Sequence, residues 1–395
     1  MFSKQGTAHF LFVEPETVSE VLVNSASGFI KGEQEIALSQ SIGWGLLVDE
    51  GDSHRRAQSE ISPELRGKAL EKYARSVSKT VRTNCSRISS DASTPLVDWA
   101  RALAQESAEK ALFPSPVREF DDRYGPMVME LNNLVQRTDW SEISASEALA
   151  DSRRFQEAQS FIQNYVSSLV DDWKGQERTE PTLMDVLVRH EPDPEVGGST
   201  VEAQTALFLQ AATETTGALV SWAIVALADQ PELWLRVVEE SHSAVDDDPF
   251  QVMERPHLTA AVSEALRLFP PAWMSPRIAV EDLEVGRFSV PAGSRVVVSP
   301  WVTHRREDLF KEADRFVPSR WLDNLKSSLP RGAYYPFGLG KRICVGERFA
   351  RLNAGLILDA LARRKGKLVL NSASRGVGNS ALIANPSHEL RFGVQ

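Results

Sequence analysis

The chain has 395 residues, of which 42% are hydrophobic and 25% are charged, an ordinary balance for a globular protein. Its formal net charge of −10 argues against non-specific nucleic-acid binding, which needs phosphate neutralisation by Lys and Arg. Its two cysteines, Cys85 and Cys344, are too few for a disulfide framework. We therefore expect a cytoplasmic protein of a reducing compartment, without nucleic-acid partners.

The first half of the chain shows one strand pattern and two helical patterns. Residues 9–13 are typical of a strand, and apolar residues recur at helical spacing over 15–24 and 155–173. Pro15 suits the first helical position, where its missing N–H costs nothing. The segment before residue 9 lacks the apolar core of a signal peptide.

The strongest helical pattern runs from about residue 200 to residue 230 and follows a loop-like stretch at 191–198. Ser199 and Glu202 have the spacing of a capping box. The uncharged part of this helix lies between residues 214 and 229, shorter than the ~20 residues that span a bilayer. We therefore expect a core helix and no membrane anchor.

The last third of the chain adds short strands and one more helix. Strand patterns occur at 287–290, 294–299 and 367–370, and a helical pattern occurs at 347–364. No Gly/Ser-rich or Pro-rich linker divides the chain. The sequence predicts a mostly α fold with small β-sheets, in a single domain over 1–395.

The segment before the last helix carries the most specific chemistry. Glycines at 338, 340 and 346 indicate a tight backbone path, with positive φ angles or close approach to a flat partner. Cys344 precedes a helix N-terminus, where N–H groups and the helix dipole favour a thiolate. Neither phosphate-binding glycine motif fits, because residue 343 is Ile and Lys341 is followed by Arg342. Taken alone, Cys344 is either a buried structural cysteine or a metal ligand.

This segment resembles the haem-binding signature of the cytochrome P450 family, F-x-x-G-x-R-x-C-x-G. It matches at every fixed position: Phe337, Gly340, Arg342, Cys344 and Gly346. The resemblance implies the cytochrome P450 fold and a haem b cofactor with Cys344 as its proximal iron ligand. It also implies that Phe337 and Gly338 lie beside the haem and that Arg342 pairs with a propionate.

A second match is Glu264 and Arg267, which stand three apart on one predicted helix face and can pair. Such pairs are usually solvated surface contacts worth under ~1 kcal/mol. The segment resembles the family's E-x-x-R motif, whose third member would be Arg320. The resemblance implies a buried ion network with a structural role.

A third match lies in the long helix, where 211–216 resembles the family pattern [A/G]-G-x-[D/E]-T-[T/S]. The residues alone leave open a satisfied buried Thr beside a solvent-facing Glu. The resemblance implies that Thr215 hydrogen-bonds to oxygen in the active site and that Glu214 helps to deliver protons. Ala212 departs from the family's usual Gly, and Ala211 becomes a candidate substrate contact.

A fourth match is Arg277, which resembles the family's second propionate partner. Trp273 and Met274 precede it and would then face the substrate, although core packing explains Trp273 equally well.

An earlier segment, 45–58, resembles the family's stretch that leads into the helix crossing the haem. His54 fits the first propionate position, but the arginine expected four residues later is Gln58. Arg55 and Arg56 are candidates to compensate.

The resemblance implies a monooxygenase that uses O₂ to hydroxylate or epoxidise a small apolar organic substrate, free or carrier-tethered, in bacterial secondary metabolism. Electrons would come from an external ferredoxin or flavodoxin and its reductase, because the chain has no flavin or nicotinamide fingerprint. Four basic residues near the cysteine form a candidate docking patch: Lys341, Arg342, Arg348 and Arg351.

Two other classes of function stay open at this point. One is a cysteine-nucleophile enzyme in which His304 acts as the base for Cys344. The other is a haem-bearing module that recruits a partner or senses a ligand without catalysis, which the retained Glu214–Thr215 pair disfavours.

Overall fold

The computed structural model describes residues 2–4, 7–32, 35, 43, 45–114, 121–137, 152–174, 181–189, 200–243, 248–323, 325–378 and 383–395. Helices make up most of this part of the chain, as the sequence predicts. The α-helices are α1 Pro15–Ser19, α2 Gly51–Glu64, α3 Gly67–Cys85, α4 Leu96–Leu112, α5 Tyr124–Arg137, α6 Arg153–Lys174, α7 Leu183–Arg189, α8 Val201–Ala228, α9 Pro231–Ser243, α10 Pro256–Leu268, α11 Pro300–Thr303, α12 Leu325–Ser328 and α13 Glu347–Ala362.

The four predicted helices are confirmed within a few residues. The first, predicted over 15–24, consists of α1 followed by a wider π-helical turn, Glu20–Asn24. The predicted loop at 191–198 lies outside the described residues.

The capping box predicted for the long helix is wrong. Thr200 is the N-cap of α8, and its hydroxyl accepts a hydrogen bond from the N–H of Ala203 at 3.1 Å. A threonine oxygen here satisfies one of the free N–H groups of the first turn. Ser199 lies outside the described residues, and Glu202 stands in the first turn of the helix.

Helix α8 is the central element of the fold and is apolar around most of its circumference, as expected for a buried helix. By length and composition alone it is long and apolar enough to cross a membrane, but 78% of its most apolar window is buried inside the protein. It packs against α4, α10 and α13, which makes it a core helix of the fold.

The strands form three small sheets. A five-stranded sheet has the order β1-β2-β8-β5-β3, a three-stranded sheet the order β4-β10-β9, and β6 pairs with β7. The strands are β1 Phe2–Lys4, β2 Thr7–Phe12, β3 Phe29–Lys31, β4 Thr94–Pro95, β5 Ser275–Ala279, β6 Leu283–Val285, β7 Phe288–Val290, β8 Arg295–Val298, β9 Leu368–Leu370 and β10 Arg391–Val394. The four strands that the sequence predicts correspond to β2, β7, β8 and β9.

The buried apolar side chains form two clusters. One lies among the helices around α8 and includes the three-stranded sheet, and the other lies under the five-stranded sheet and includes the β6–β7 pair. The segment that carries Cys344 runs between them, because Phe337 packs on the helical cluster and Leu339 on the sheet cluster. The fold therefore places the cysteine loop where the large sheet meets the helices.

Candidate functional site

The loop before α13 has the tight backbone that its glycines predict. Gly338 and Gly340 have φ angles of 75° and 69°, a region that favours glycine. A Cβ atom on Gly340 would lie 2.5 Å from the carbonyl oxygen of Leu22, so a side chain cannot fit there. Gly346 is different, because it is the N-cap of α13 with φ of −85°. Close packing and positive φ therefore fix the loop upstream of Cys344.

Cys344 lies at the end of this loop, three residues before α13 begins. Its N–H donates to the carbonyl oxygen of Phe337 at 2.9 Å, and its side chain is exposed. Enough protein nevertheless surrounds the sulfur that desolvation raises the pKa of the Cys344 thiol, against the lowering effect of the N–H groups of Gly346 and Glu347. The N–H groups at the helix terminus therefore favour a thiolate, as the sequence predicts, but burial outweighs them, and a bound metal cation would add the remaining stabilisation.

Four basic side chains meet on the sheet side of this loop, and we call them the cationic cluster: Lys31, His54, Arg277 and Arg342. Strand pairing places Lys31 directly opposite Arg277. Arg342 pairs with Glu50, and the Nη1 atom of Arg277 lies 3.9 Å from Glu35. A narrow cavity lies between these groups and the apolar turn at Leu22.

Burial and neighbouring cations together disfavour the charged forms of two members of the cationic cluster. Burial, with help from Arg342 and Lys31, lowers the pKa of His54 to about 4. Burial and the neighbouring Arg277 lower the pKa of Lys31 to about 7. The buried Nη1 of Arg342 has no hydrogen-bond partner among the described residues. An anion in this cavity would therefore meet neighbouring positive charge and the free Nη1 donor of Arg342.

These features fit a haem. The thiol of Cys344 is suited to bind the haem iron, and the adjacent cationic cluster is suited to bind the two propionates. The residues that would hold the group are Cys344, with Arg277, Arg342 and His54 toward the propionates. Arg55 and Arg56 do not join them: both are exposed, and Arg55 pairs with Asp52.

The polar residues of α8 are divided between two faces of the helix. Ala211 is exposed and Thr215, one turn later, is partly exposed. The Thr215 hydroxyl donates to the carbonyl oxygen of Ala211 at 2.7 Å. Such a bond to the preceding turn satisfies a threonine within a helix.

Glu214 points the other way, into the protein. Its carboxylate is buried and lies 2.8 Å from the Nη2 atom of Arg101 on α4. Burial raises the pKa of Glu214, and Arg101 opposes that rise. The solvent-facing alternative for Glu214 is therefore wrong. Sequence reasoning missed Arg101, because nothing in the sequence shows that α4 and α8 pack side by side.

The second motif forms a buried ion network. The guanidinium of Arg267 donates to both carboxylate oxygens of Glu264, each at 2.9 Å, and both side chains are fully buried. Arg320 donates to the same carboxylate at 3.0 Å, and the indole of Trp321 adds a bond of 2.8 Å. This geometry differs from a solvated surface pair, and removing one partner would leave a buried charge uncompensated.

His304 belongs to this network and not to a catalytic pair. Its Nε2 accepts from the N–H of Tyr335 at 3.0 Å, and its Nδ1 lies 3.1 Å from the carbonyl oxygen of Arg267. Burial lowers the pKa of His304 to about 3. Both ring nitrogens are occupied by the backbone, so His304 is unavailable as the base that a cysteine-nucleophile enzyme requires.

The remaining candidate residues lie on the connection between α10 and β5. Trp273 and Met274 are both half-buried. The carbonyl oxygen of Trp273 accepts from the hydroxyl of Ser299 at 2.8 Å, which fixes the connection to the end of β8.

Phe337 lies in the loop before α13. It is half-buried, and the Arg351 guanidinium lies 5.2 Å from the centre of its ring.

Comparison with known proteins assigns the chain to a family. The family model described as "Cytochrome P450" matches residues 1–364. The chain belongs to the cytochrome P450 family. It is therefore an oxidoreductase of the P450 class, and that class implies a haem-thiolate cofactor.

Individual relatives have low sequence identity to this chain, but the similarity extends over most of both chains. Cyclooctatin synthase of Streptomyces melanosporofaciens is 29% identical over 90% of this chain and 80% of its own length. Cyclooctat-9-en-7-ol 5-monooxygenase of the same organism is 27% identical over 90% and 79%. The crystal structure of a 6-coordinated cytochrome P450 from Thermus thermophilus is 26% identical, covers 98% of this chain and 92% of that chain, and superposes with a TM-score of 0.76. The mostly helical P450 fold is thereby confirmed.

Proposed function

We propose that this protein is a monooxygenase that uses O₂ and a haem b held by Cys344 to hydroxylate or epoxidise an apolar organic molecule in bacterial secondary metabolism. The observation that carries the proposal is the exposed Cys344 thiol in a glycine-shaped loop beside the cationic cluster. When bound, the haem would supply the site of O₂ activation, which consumes two electrons from an external donor and two protons. The side chains of this chain position that group and manage the protons.

Cys344→Ala tests the assignment of the iron ligand. The reduced, carbon-monoxide-bound wild-type protein should show the red-shifted Soret band of thiolate-ligated haem, and the variant should lose it. Cys85→Ala is the matched control, because burial raises the pKa of Cys85 to about 12 and its sulfur faces the carbonyl oxygen of Ile357. A retained band in Cys344→Ala would reject the proposal.

Thr215, on the accessible face of α8, is proposed to hydrogen-bond to the reacting oxygen, and Glu214, on the buried face, is proposed to supply protons from within the protein. The Thr215 hydroxyl donates to Ala211 and can still accept a hydrogen bond on its partly exposed side. The Oε1 atom of Glu214 is buried without a hydrogen-bond partner among the described residues. A carboxyl group whose pKa is raised by burial holds a proton closer to neutral pH than an ordinary one, which suits a proton donor.

Thr215→Ala should lower the amount of product formed per O₂ and raise the release of hydrogen peroxide. Thr213→Ala is the matched control, because Thr213 bonds the carbonyl oxygen of Leu209 at 2.7 Å in the same way but is fully buried. Equal coupling in the two variants would remove Thr215 from the proton path.

An apolar organic substrate is proposed from the relatives and from the exposed or half-buried side chains near Thr215. One relative is named for the oxidation of cyclooctat-9-en-7-ol. Ala211 gives the face of α8 beside Thr215 an apolar character, and Trp273 and Met274 are the further candidate contacts. A panel of apolar compounds that includes cyclooctat-9-en-7-ol should contain a compound that shifts the haem spin state, and polar compounds of the same size should not.

An acidic ferredoxin or flavodoxin is the proposed electron donor. Lys341 and Arg348 are exposed near the cysteine, whereas Arg342 pairs with Glu50 and Arg351 with Glu347. Helix α3 packs on α13 and carries an exposed stripe in which four basic residues flank the single acidic Glu71, although the whole chain carries −10. The basic residues of that stripe are Lys68, Arg75, Lys79 and Arg82.

Arg348→Glu should slow reduction by an acidic ferredoxin severalfold, with the greatest effect at low salt, because exposed charges are screened as ionic strength rises. Arg287→Glu, at the exposed turn between β6 and β7, makes the same charge change on an element that carries none of these residues. Equal slowing by both variants would show that total charge, and not this surface, governs the encounter.

A further inference from the structure

Lys31 stands beside two arginines in a region where the nearby carboxylates are fewer than the cations. Antiparallel pairing of β3 with β5 puts it directly across from Arg277, and like charges in that position repel each other. Only two carboxylates lie near it: Glu50 pairs with Arg342, and Glu35 lies 3.9 Å from Arg277 and also interacts electrostatically with Lys31. Three lysine and arginine side chains thus share two carboxylates around one cavity.

The sequence also lacks a cation that this region is expected to contain. Gln58 stands one turn after His54 on α2, where the family resemblance leads us to expect an arginine. Neither Arg55 nor Arg56 takes its place, because both are exposed on another side of the helix. Compared with the family pattern, the cavity therefore lacks the arginine on α2 and has Lys31 on β3 instead.

We propose that Lys31 binds a haem propionate in place of the cation missing at position 58. This inference rests on the proposed haem site. A lysine ammonium carries three donors on a flexible stem, so it reaches an anion from a different element than an arginine on α2 would. The propionate in turn offsets the repulsion between Lys31 and Arg277.

A consequence of this placement is a coupling between haem retention and pH. Without an anion, burial and the neighbouring Arg277 lower the pKa of Lys31 to about 7. A propionate favours the charged ammonium and raises that pKa. Lys31 therefore holds its proton in the haem-bound protein, and the contact weakens as the pH rises through the raised pKa. The other titratable or charged groups that face Lys31 are Arg342, Glu35, Glu50, His54 on α2 and Cys344 in the loop before α13.

Haem transfer from the holoenzyme to an excess of apomyoglobin, followed from pH 6 to pH 10, measures this contact. Lys31→Gln should lose haem about tenfold faster than wild type at pH 7, the size expected for one charge-assisted hydrogen bond. Lys31→Arg should stay close to wild type at pH 7 and lack the acceleration that wild type shows at alkaline pH. Gln58→Arg, added to Lys31→Gln, should restore slow loss by returning a cation to α2.

Lys326→Gln on α12 is the control for removal of a lysine and should leave the rate unchanged. Equal rates in Lys31→Gln and Lys326→Gln would overturn the proposal. The proposal would also be overturned if Lys31→Gln and Lys31→Arg lost haem equally fast and Gln58→Arg did not restore slow loss. That pattern would indicate that Lys31 acts through packing and not through its charge. The red-shifted Soret band of the reduced carbon-monoxide complex separates this failure from that of the proposed function, which requires the band in wild type.

Discussion

At the scale of single residues, Glu214 has a proposed role in proton supply and also forms a buried ion pair with Arg101 that affects the stability of the fold. The side chains are only 5% and 10% exposed. Arg101→Met should destabilise the protein by about 3–5 kcal/mol, because it leaves a carboxylate buried without a partner. Adding Glu214→Gln to Arg101→Met should recover part of the loss. Thermal unfolding of the wild type, the two single variants and the double variant measures this coupling.

Arg306→Met gives the comparison for an ordinary surface pair. Arg306 pairs with Asp308 at 2.8 Å, but their side chains are 28% and 61% exposed, and solvent screens such a pair. We expect the free energy of unfolding to change by less than about 1 kcal/mol.

For the buried pair, additive effects of Arg101→Met and Glu214→Gln on the free energy of unfolding would contradict a direct interaction between the two side chains.

The residue scale also shows where sequence reasoning ends. The motif around Cys344 and the E-x-x-R motif are local, so the sequence alone specifies their members. Arg101 and Lys31 have no such signal. Each becomes a candidate only because another element brings it to a motif residue: α4 brings Arg101 to Glu214, and the register of β3 with β5 brings Lys31 to Arg277.

At the scale of elements, the contact between α4 and α8 depends on a glycine. A Cβ atom on Gly217 would lie 2.9 Å from the Cα atom of Arg101, and backbone cannot move aside as a flexible side chain can. Gly217→Ala should therefore push the helices apart and cost about 1–3 kcal/mol, despite the better helix propensity of alanine. The melting temperature of the holoprotein measures the loss.

Gly125→Ala on α5 is the matched control. A Cβ atom there would meet only the end of the Gln105 side chain at 3.1 Å, so a side chain and not the backbone has to shift. We expect a smaller loss of stability in this variant. A Gly217→Ala protein as stable as Gly125→Ala would show that α4 and α8 are not in close backbone contact.

The long elements follow from the sequence more readily than the short ones. Helix α8 has a continuous apolar pattern, and only its cap was misassigned, because Thr200 and Ser199 are both suitable capping residues next to each other. Strand β3 has three residues, too few for an alternating pattern, and it exists because β5 supplies its hydrogen-bond partners. Its position, and with it the role of Lys31, depends on the assembled sheet.

At the scale of the whole molecule, one buried guanidinium ties the helices to the chain that leads to the cysteine loop. Arg267 on α10 donates to the backbone oxygens of His304, Ala313 and Arg315 while it holds Glu264. Tyr335, two residues before Phe337, donates its N–H to His304. Protonation within this network would therefore weaken the fold as a whole.

His304 gives this coupling a definite pH dependence. Its pKa is lowered from 6.5 to about 3 in the folded protein, because burial disfavours the charged ring. Above pH 6.5 the ring is neutral in both states and contributes no pH dependence. As the pH falls from 6.5 toward 3, the unfolded chain binds a proton that the folded protein does not, so the free energy of unfolding decreases by up to about 1.4 kcal/mol per pH unit.

His304→Gln should therefore flatten the fall in melting temperature between pH 6.5 and pH 4, even if the variant starts from a lower value at pH 7 through loss of the bond to Arg267. The slope, and not the level, is the readout. His257→Gln on α10, a half-buried histidine outside the network, is the control and should keep the wild-type slope. Parallel curves for wild type and His304→Gln would mean that the ring is accessible to protons in the folded protein, which a fully buried imidazole with both nitrogens bonded to the backbone does not permit.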